Sequence, residues 1–271
     1  MTDLHTPWLN VSQLSKTIWR IEDAGMVSEY LITGDDRALL VDCGWGIGDL
    51  AKTVAGLTSL PLTVVNTHGH RDHTSGDYQF GNSIHIHEGD VPLLKKSYDP
   101  AARSETLRRF PTETWPSGFS AEAWIHAPVP GYDAFTGPLS FDLGGRVVDV
   151  IETPGHTQGS LCLYDRKERL LFAGDNIQAG NVLLMMHESL PLTIYRKSVD
   201  KLAAMADNID KVYPAHGPAP LKPAVLKEMQ AGVGKILKGE IRGTPETIYL
   251  GSGLAIRFDG CGILYKEDRL R

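Results

Sequence analysis

The sequence predicts an α/β fold in which helices cover β-sheets. Segments rich in β-forming residues open the chain and lead into a helical pattern, and the same succession returns in the second half. A chain of 271 residues, 42% of them hydrophobic, is also long enough to bury one large core. We therefore predict a single domain over residues 1–271 that is built from two packed half-units.

In the first half, strand and helix signals alternate. A hairpin signal, Gly34-Asp35-Asp36, separates two β segments, and a helical pattern follows at residues 49–57. The predicted strands of this half are residues 17–21, 28–33, 38–42, 62–66 and 84–87. Strand, helix and strand in this order are typical of a layered α/β sheet.

The second half repeats the succession. Its predicted strands are residues 146–153, 160–164 and 169–173, and its predicted helices are residues 193–206 and 219–237. Residues 248–265 alternate enough to supply one or two edge strands.

Residues 95–138, between the halves, have many prolines and no clean strand period. We predict an insertion of short helices and loops, which we expect to cover the substrate as a lid. Trp115, Phe119 and Trp124 lie in this segment, and their aromatic side chains favour a packed insertion over a floppy linker.

Composition excludes several classes of partner. The formal net charge of −6 leaves no positive field to attract phosphates, so we expect no nucleic acid. The apolar stretches are far shorter than the roughly 20 residues that a membrane-spanning helix needs, so we expect no membrane contact.

Residues 1–10 have no basic flank and no apolar run, and they do not resemble a signal peptide. Three widely spaced cysteines suit reduced, inert thiols, and we predict a cytoplasmic protein.

The most informative segment is His68-Gly69-His70-Arg71-Asp72-His73, which directly follows an apolar strand. Zinc readily takes imidazole nitrogen and carboxylate oxygen as ligands. A loop leaving a strand can turn His68 and His70 towards one ion, and Asp72 and His73 can then face a second. The alternative is a solvated histidine-rich loop, but we expect this pattern by chance in about one such chain per thousand.

Three further motifs place a histidine or an aspartate directly after an apolar, strand-like segment, which for the last motif is Val212-Tyr213-Pro214. They are Pro154-Gly155-His156, Gly174-Asp175 and Ala215-His216-Gly217. Active sites often collect on such loops, because the strands hold the loops rigid. Each motif alone is more often a structural turn, whereas together they predict metal ligation.

The motifs HGHRDH, PGHTQGS, GD and AHG occur in this order, and over about residues 17–240 the chain resembles the metallo-β-lactamase-fold superfamily. The resemblance implies a four-layer αββα sandwich, which agrees with the repeated meander and helix. It also implies two metal ions with separate ligands and one bridging carboxylate. One ion is bound by His68, His70 and His156, the other by Asp72, His73 and His216, and Asp175 bridges them.

Asp42, in Val41-Asp42-Cys43-Gly44, matches an early Asp-x-Gly of the superfamily. It either orients a ligand histidine or simply forms a turn before the glycine.

The residues also discriminate among branches of the superfamily. Lactam-cleaving members usually have cysteine or serine near the place of Asp175 and are exported. Flavodiiron members carry glutamate where His70 stands, and nuclease members recruit large extra domains. The remaining resemblance is to the glyoxalase II and lactonase branches, which cleave carbonyl–heteroatom bonds. The basic C-terminal residues of glyoxalase II are matched only loosely, by Lys222, Lys227 and Lys235.

The resemblance therefore implies a metal-dependent hydrolase. Hydroxide shared by two divalent ions would cleave a thioester, a lactone or another activated ester of a small molecule. Zinc is expected, although iron and manganese suit the same ligands. Asp72 and Asp175 are the predicted catalytic residues, and Asp72 can also pass a proton to the leaving group.

Two other functions stay open. One is an oxidoreductase similar to persulfide dioxygenases, with a single iron, and the other is a non-catalytic relative that binds a small ligand. The sequence leaves the oligomeric state open and allows a homodimer.

Some residues near the motifs have no settled role. His187 and Tyr195 are candidates to donate a hydrogen bond to the substrate carbonyl. Residues 181–191, which include two methionines, either wall the pocket or belong to the core. His85 and His87 share one strand face, and we expect structural imidazoles there.

Overall fold

The computed structural model describes residues 8–81 and 84–271 of the chain. These residues form two compact units. Unit 1 contains the described residues up to Thr136 together with residues 142–145, and unit 2 contains residues 137–141 and 146–271. The division falls between the two halves that the sequence predicts.

Unit 1 is built on a seven-stranded sheet whose strand order follows the chain. Its strands are β1 (Leu9–Ser15), β2 (Ile18–Asp23), β3 (Val27–Thr33), β4 (Ala38–Val41), β5 (Leu62–Val65), β6 (Ile84–His87) and β7 (Tyr132–Phe135). The strands from β1 to β4 pair antiparallel, and those from β4 to β7 pair parallel. Because β4 and β5 are parallel neighbours, their carboxyl ends lie at the same edge of the sheet.

The helices of unit 1 are short. They are α1 (Leu50–Leu57), α2 (Arg71–Thr74), α3 (Val91–Ser97), α4 (Pro100–Leu107) and α5 (Ala121–Ile125), with 3₁₀ turns at Asp77–Gln79, Glu88–Asp90 and Thr112–Thr114. The Asp49 side chain caps α1 by accepting a hydrogen bond from the backbone N–H of Lys52. Leu50 and Val54 of α1 are buried against apolar residues of the sheet, which fixes the helix on one sheet face.

Unit 2 contains two sheets. The first has the strand order β13-β11-β10-β9-β8, and the second has the order β12-β16-β15-β14. Their strands are β8 (Ser140–Asp142), β9 (Val147–Glu152), β10 (Leu161–Asp165), β11 (Leu170–Gly174), β12 (Asn181–Leu184), β13 (Lys211–Pro214), β14 (Thr244–Ile248), β15 (Gly251–Arg257) and β16 (Gly262–Tyr265). β9 and β11 are both antiparallel to β10, and β13 is parallel to β11. The carboxyl ends of β9, β11 and β13 therefore lie at one sheet edge.

Two longer helices, α6 (Leu192–Ala204) and α7 (Ala224–Leu237), complete unit 2, with 3₁₀ turns at Ala206–Asn208 and Glu267–Arg269. The inner face of α6 has helical spacing and carries Leu192, Tyr195, Val199 and Leu202, all in the apolar core. In the described part of the chain, none of the helices has the length and apolar character to cross a bilayer.

Several predicted elements agree with the structure, and others needed correction. The predicted strand at residues 84–87 is β6, whereas the helix predicted from residue 219 begins only at Ala224. Leu221 forms an isolated bridge with Val212 instead. The segment 248–265, predicted as edge strands, contributes to a separate four-stranded sheet in which β16 is buried along its length.

The segment 95–138 contains short helices and loops, as predicted, but residues 132–135 form strand β7. The burial of β7 does not alternate, so its sequence shows no strand period. The predicted packing is confirmed, because Trp124 is fully buried and its ring contacts that of Phe119, which contacts Trp115.

Candidate metal centre

The four predicted ligands of unit 1 lie on the loop after β5 and on α2, where His70 is the N-cap residue. His68 and His73 are buried, whereas His70 and Asp72 are partly exposed. The His68 Nε2 and His70 Nδ1 atoms lie 2.9 Å apart. His73 Nε2 lies 3.8 Å from Asp72 Oδ2. Within unit 1, the structure therefore brings the predicted donor atoms together in two pairs.

Asp42, at the end of β4, organises two of these histidines. Its Oδ2 accepts a hydrogen bond from His73 Nδ1 at 2.8 Å and one from Thr67 Oγ1 at 2.8 Å. Thr67 Oγ1 in turn lies 3.1 Å from His68 Nδ1. Because the hydroxyl hydrogen points to Asp42, the threonine oxygen accepts the hydrogen of His68 Nδ1. Asp42 therefore orients His73, one of the predicted ligands, while the role of His73 as a ligand stays a prediction.

This network selects the tautomers of two histidines. Nδ1 of His73 and Nδ1 of His68 both donate, so each ring presents its unprotonated Nε2. Metal-binding histidines in proteins are commonly fixed in this way by a carboxylate or a carbonyl on the other ring nitrogen.

Unit 2 supplies its three predicted ligands from three strand ends. His156 follows β9, Asp175 follows β11 and His216 follows β13. Asp175 faces both histidines, because its Oδ2 lies 3.5 Å from His156 Nε2 and its Oδ1 lies 3.3 Å from His216 Nε2. Pairing between β11 and β13 continues to the bond from Ala215 N to Gly174 O at 3.0 Å, next to both ligands.

A main-chain carbonyl orients His156. Its Nδ1 donates to the oxygen of Leu183 in β12 at 2.8 Å, so Nε2 again carries the lone pair. The Ser189 hydroxyl donates to the same carbonyl oxygen at 3.3 Å.

The donor set of each unit suits a divalent ion. Imidazole nitrogens and carboxylate oxygens are ligands of zinc, and the fixed tautomers present the correct nitrogen. These His and Asp groups could hold metal ions. The assignment of the seven residues to two ions stays a prediction.

Other candidate residues have structural roles. The prediction that Tyr195 donates to a substrate is wrong, because its fully buried hydroxyl donates to the oxygen of Asn176 at 2.6 Å. The tyrosine lies on the inner face of α6, where helical spacing directs it into the core. His187 is an exposed residue, and Met185 is buried with Ala255 and Leu264 in an apolar cluster.

His87 has the structural role that its strand position indicates. Its Nδ1 accepts a hydrogen bond from Gly89 N at 3.1 Å and so caps the following 3₁₀ turn. His85 is half-buried on the same strand, and burial lowers its pKa. The three cysteines are buried free thiols, as expected.

Sequence reasoning missed Thr67 and the Leu183 carbonyl. A threonine directly before a ligand histidine is a weak signal that could have pointed to Thr67. No signal in the sequence indicates which carbonyl accepts from His156, since Leu183 is an ordinary apolar strand residue.

Two further carboxyl groups are buried side by side in unit 1. Burial raises the pKa of Asp23 to about 7, although hydrogen bonds from the Trp45 N–H and the Trp8 indole partly oppose this. Burial, together with the charge of Asp23, raises the pKa of Glu29 well above its usual value. A β-carbon at Gly44 would lie 2.3 Å from Glu29 Oε1 and 2.4 Å from Asp23 Oδ2, so this close approach requires glycine.

Comparisons with known proteins agree with this chemistry. A sequence profile of the metallo-beta-lactamase superfamily matches residues 23–216. Acyl-coenzyme A thioesterase MBLAC2 of Bos taurus is 27% identical over 222 residues, which cover 72% of this chain and 74% of the relative. Atrochrysone carboxyl ACP thioesterase nsrC of Aspergillus novofumigatus is 24% identical over 244 residues, which cover 86% of this chain and 62% of the relative. Thioesterases are hydrolases, and the predicted enzyme class is thereby confirmed.

Solved structures show the same fold. The metallo-beta-lactamase from Pontibacter korlensis has a TM-score of 0.61 at 18% identity, and the match covers 83% of this chain and 99% of that one. The enzyme from Erythrobacter litoralis has a TM-score of 0.60 at 17% identity, over 86% of this chain and 99% of that one. At these identities the similarity concerns the fold alone, and it confirms the predicted α/β sandwich. Since the family profile spans most of the sequence, the chain belongs to the metallo-beta-lactamase superfamily.

Proposed function

We propose that this hydrolase cleaves a thioester bond in a small acyl substrate. The observation that carries the proposal is the pair of thioesterase relatives, one named for acyl-coenzyme A and one for an acyl carrier protein substrate. The two names give different carriers of the acyl group, but both name the thioester as the bond that is cleaved. Among the thioester, lactone and activated ester that the sequence left open, the thioester is therefore favoured.

We further propose that seven side chains hold two zinc ions. The proposed ligands of one ion are His68, His70 and His156, those of the other are Asp72, His73 and His216, and Asp175 is shared. Support comes from the donor types, from the histidine tautomers and from the Asp175 carboxylate, which offers one oxygen to His156 and one to His216. Two such ions, when bound, lower the pKa of a shared water towards about 7 and polarise a carbonyl group.

The protein's own groups would prepare this chemistry. Asp42 and the Leu183 carbonyl hold the rings of His73 and His156, so the ligands need no reorganisation when substrate binds. The Asp72 carboxylate is partly exposed, and we propose that it takes up the proton that the attacking water gives up and passes it to the departing sulfur. A thiol with a pKa near 8.5 leaves more readily than an alcohol, which suits a site without a strong general acid.

The test combines elemental analysis with a substrate panel on the purified protein. The panel contains an acyl-coenzyme A, a lactone, a phosphodiester, a β-lactam and glutathione persulfide, with thiol release and oxygen uptake recorded separately. We expect about two zinc ions per chain and thioester cleavage at least about 100-fold faster than the other reactions.

Two outcomes would contradict the proposal. About one iron per chain with oxygen uptake on the persulfide would indicate the oxidoreductase instead. Two zinc ions with no thioester cleavage would leave the metal centre intact and reject the thioesterase. A chelator should abolish hydrolysis and added zinc should restore it. The cytoplasmic location, the homodimer and the absence of a nucleic acid substrate stay predictions.

A further inference from the structure

Residues 90–125, which include α3, α4 and α5, form hydrogen bonds with the main chain of the HGHRDH loop. The first of these bonds involves the residue directly before α3. Asp90, which precedes α3, accepts a hydrogen bond from Gly69 N on Oδ2 at 2.8 Å. Ser97, at the end of α3, donates from its hydroxyl to the Gly69 oxygen at 3.1 Å. Both main-chain polar groups of Gly69, between two proposed ligands, are therefore held by α3 and its N-cap.

Two more side chains hold the other end of the loop. The Tyr98 hydroxyl accepts from Tyr78 N at 3.0 Å and donates to the Thr74 oxygen at 3.0 Å. Arg103 Nη2 donates to the Ser75 oxygen at 2.6 Å. Thr74 is the last residue of α2 and Ser75 is its C-cap, so these bonds satisfy carbonyls that the helix leaves unpaired.

Arg103 donates to the carboxyl ends of three helices. Besides Ser75 at the end of α2, its guanidinium donates to the Ser97 oxygen of α3 at 3.1 Å and to the Trp124 oxygen of α5. The residue is buried, with 1% of its surface exposed. Carbonyls at helix carboxyl ends carry partial negative charge, and a cation there is stabilised.

Aromatic rings surround this charge, and the buried Asp77 carboxylate also interacts with it electrostatically. The guanidinium carbon lies 4.1 Å from the ring centre of Tyr98, 4.4 Å from that of Trp124 and 5.6 Å from that of Tyr78. Within residues 8–81 and 84–271, no carboxylate forms a salt bridge with Arg103. Only a planar group with several donors can serve three carbonyls at once and also stack on rings, so lysine is a poor substitute.

We propose that Arg103 is a positioning residue for α2, the helix that carries Asp72 and His73. The proposal rests on the metal ligands named above. Arg103 joins the carboxyl end of α2 to those of α3 and α5 by hydrogen bonds. Through these bonds the segment 95–138 supports the HGHRDH loop. Ligand atoms must be held within about 0.5 Å of their binding geometry, so a small tilt of α2 weakens the metal site.

The test compares Arg103→Lys with Arg146→Lys. Arg146 is also buried, but it lies in unit 2, where it pairs with Asp165 and Glu168. Zinc affinity is measured by competition with a chromophoric chelator, and amide hydrogen exchange of residues 71–75 is measured in the metal-free full-length protein. We expect Arg103→Lys to weaken binding of the zinc ion assigned to Asp72, His73 and His216 about 10-fold or more. Amide exchange at residues 71–75 should become faster. Arg146→Lys should lower the unfolding temperature without either effect.

A merely structural role would give the opposite pattern. If Arg103→Lys lowers the unfolding temperature as Arg146→Lys does, but leaves zinc affinity and exchange at residues 71–75 unchanged, the proposal is wrong. Tyr98→Phe, which removes the hydroxyl that donates to the Thr74 oxygen and accepts from Tyr78 N but keeps Arg103, should act in the same direction as Arg103→Lys and more weakly. If the unmodified protein binds no zinc, the proposed metal centre fails, and exchange at residues 71–75 still decides whether Arg103 holds α2.

Discussion

The two units present their candidate ligands in different ways. Unit 1 carries four of them within six consecutive residues, and side chains from outside the motif orient them, as Asp42, Thr67 and Arg103 do. Unit 2 carries three on separate loops at one edge of a sheet, where strand pairing and the Leu183 carbonyl orient them.

This difference predicts different sensitivities to mutation. The geometry of unit 1 depends on side chains that a single substitution can remove. The geometry of unit 2 depends mainly on main-chain hydrogen bonds, which a substitution leaves in place. Substitutions beside the ligands should therefore affect unit 1 more, whereas in unit 2 only the ligands themselves should be sensitive.

The largest effect is expected for Asp175→Ala in unit 2. Its carboxylate faces His156 and His216, so its loss should remove at least one ion and several kcal/mol of transition-state stabilisation. We expect about a 10³-fold loss of kcat, with fewer than two zinc ions per chain by elemental analysis. Asp259→Ala, at an exposed turn, is the control. A fully loaded and active Asp175→Ala protein would contradict the shared ligand.

The next effect concerns the buried acids of unit 1. Because the pKa of Asp23 is raised from 3.8 to about 7, the folded state binds an extra proton between these values. The contribution of protonated Asp23 to the free energy of unfolding is therefore fully present below about pH 4 and is lost as the pH rises through about 7. Asp23→Asn should make the free energy of unfolding depend less on pH. The change between about pH 4 and about pH 7 should shrink by a few kcal/mol at most.

The measurement is urea unfolding of the metal-free protein from pH 4.5 to 7.5. A residual slope of the same sign is expected, because the pKa of Glu29 is raised as well. An Asp23→Asn protein with an unchanged slope would show that Asp23 keeps an ordinary pKa. Asp259→Asn serves as the exposed control.

Asp42→Asn tests the side-chain support of unit 1 directly. The Asp42 carboxylate accepts three hydrogen bonds, from Thr67 N on Oδ1 and from Thr67 Oγ1 and His73 Nδ1 on Oδ2. An amide has a single acceptor oxygen, so its NH₂ group would face one of these sets of donors and the hold on the loop and on His73 would weaken. Zinc affinity should fall about 10–100-fold in a chelator competition. Leu183→Ala is the matched change in unit 2. It keeps the carbonyl that accepts from His156 and should leave zinc affinity within about 3-fold. Equal losses in both variants would remove the proposed contrast.

The smallest effect is expected for Thr67→Val. The substitution keeps the shape of the side chain but removes the hydroxyl between His68 and Asp42, at a cost of about 1–2 kcal/mol in unfolding free energy. Zinc affinity should fall only a few-fold, since Asp42 still holds His73 directly. Thr67→Ser keeps the hydroxyl and should restore the affinity. If it does not, the methyl group of Thr67 rather than its hydrogen bonds matters.

Local patterns predicted much of the fold and the candidate ligands. The HGHRDH motif is continuous, and each ligand of unit 2 directly follows an apolar strand, so short stretches of sequence identify all seven. The strand β6 and the helix α1 were recognisable for the same reason. Tyr195 was misjudged, because its position in the sequence does not show whether its side chain points into the core or towards a substrate.

The residues that orient the ligands could not be predicted in this way. Thr67 reaches Asp42 across 25 positions, His156 reaches Leu183 across 27 and Arg103 reaches Ser75 across 28. No periodicity connects residues at such separations. The strand β7 was missed for a related reason, since pairing with β6 and not an alternating pattern defines it.

The amino-acid sequence by itself determined the chemical types of the candidate ligands, their order and their positions at strand ends, because these features depend on neighbours along the chain. Only the tertiary structure decided which nitrogen of each buried histidine faces its neighbours and which side chains hold the loops. Those choices depend on hydrogen bonds between distant segments, which exist only after β4 pairs with β5 and after α3 and α5 meet the end of α2 around Arg103.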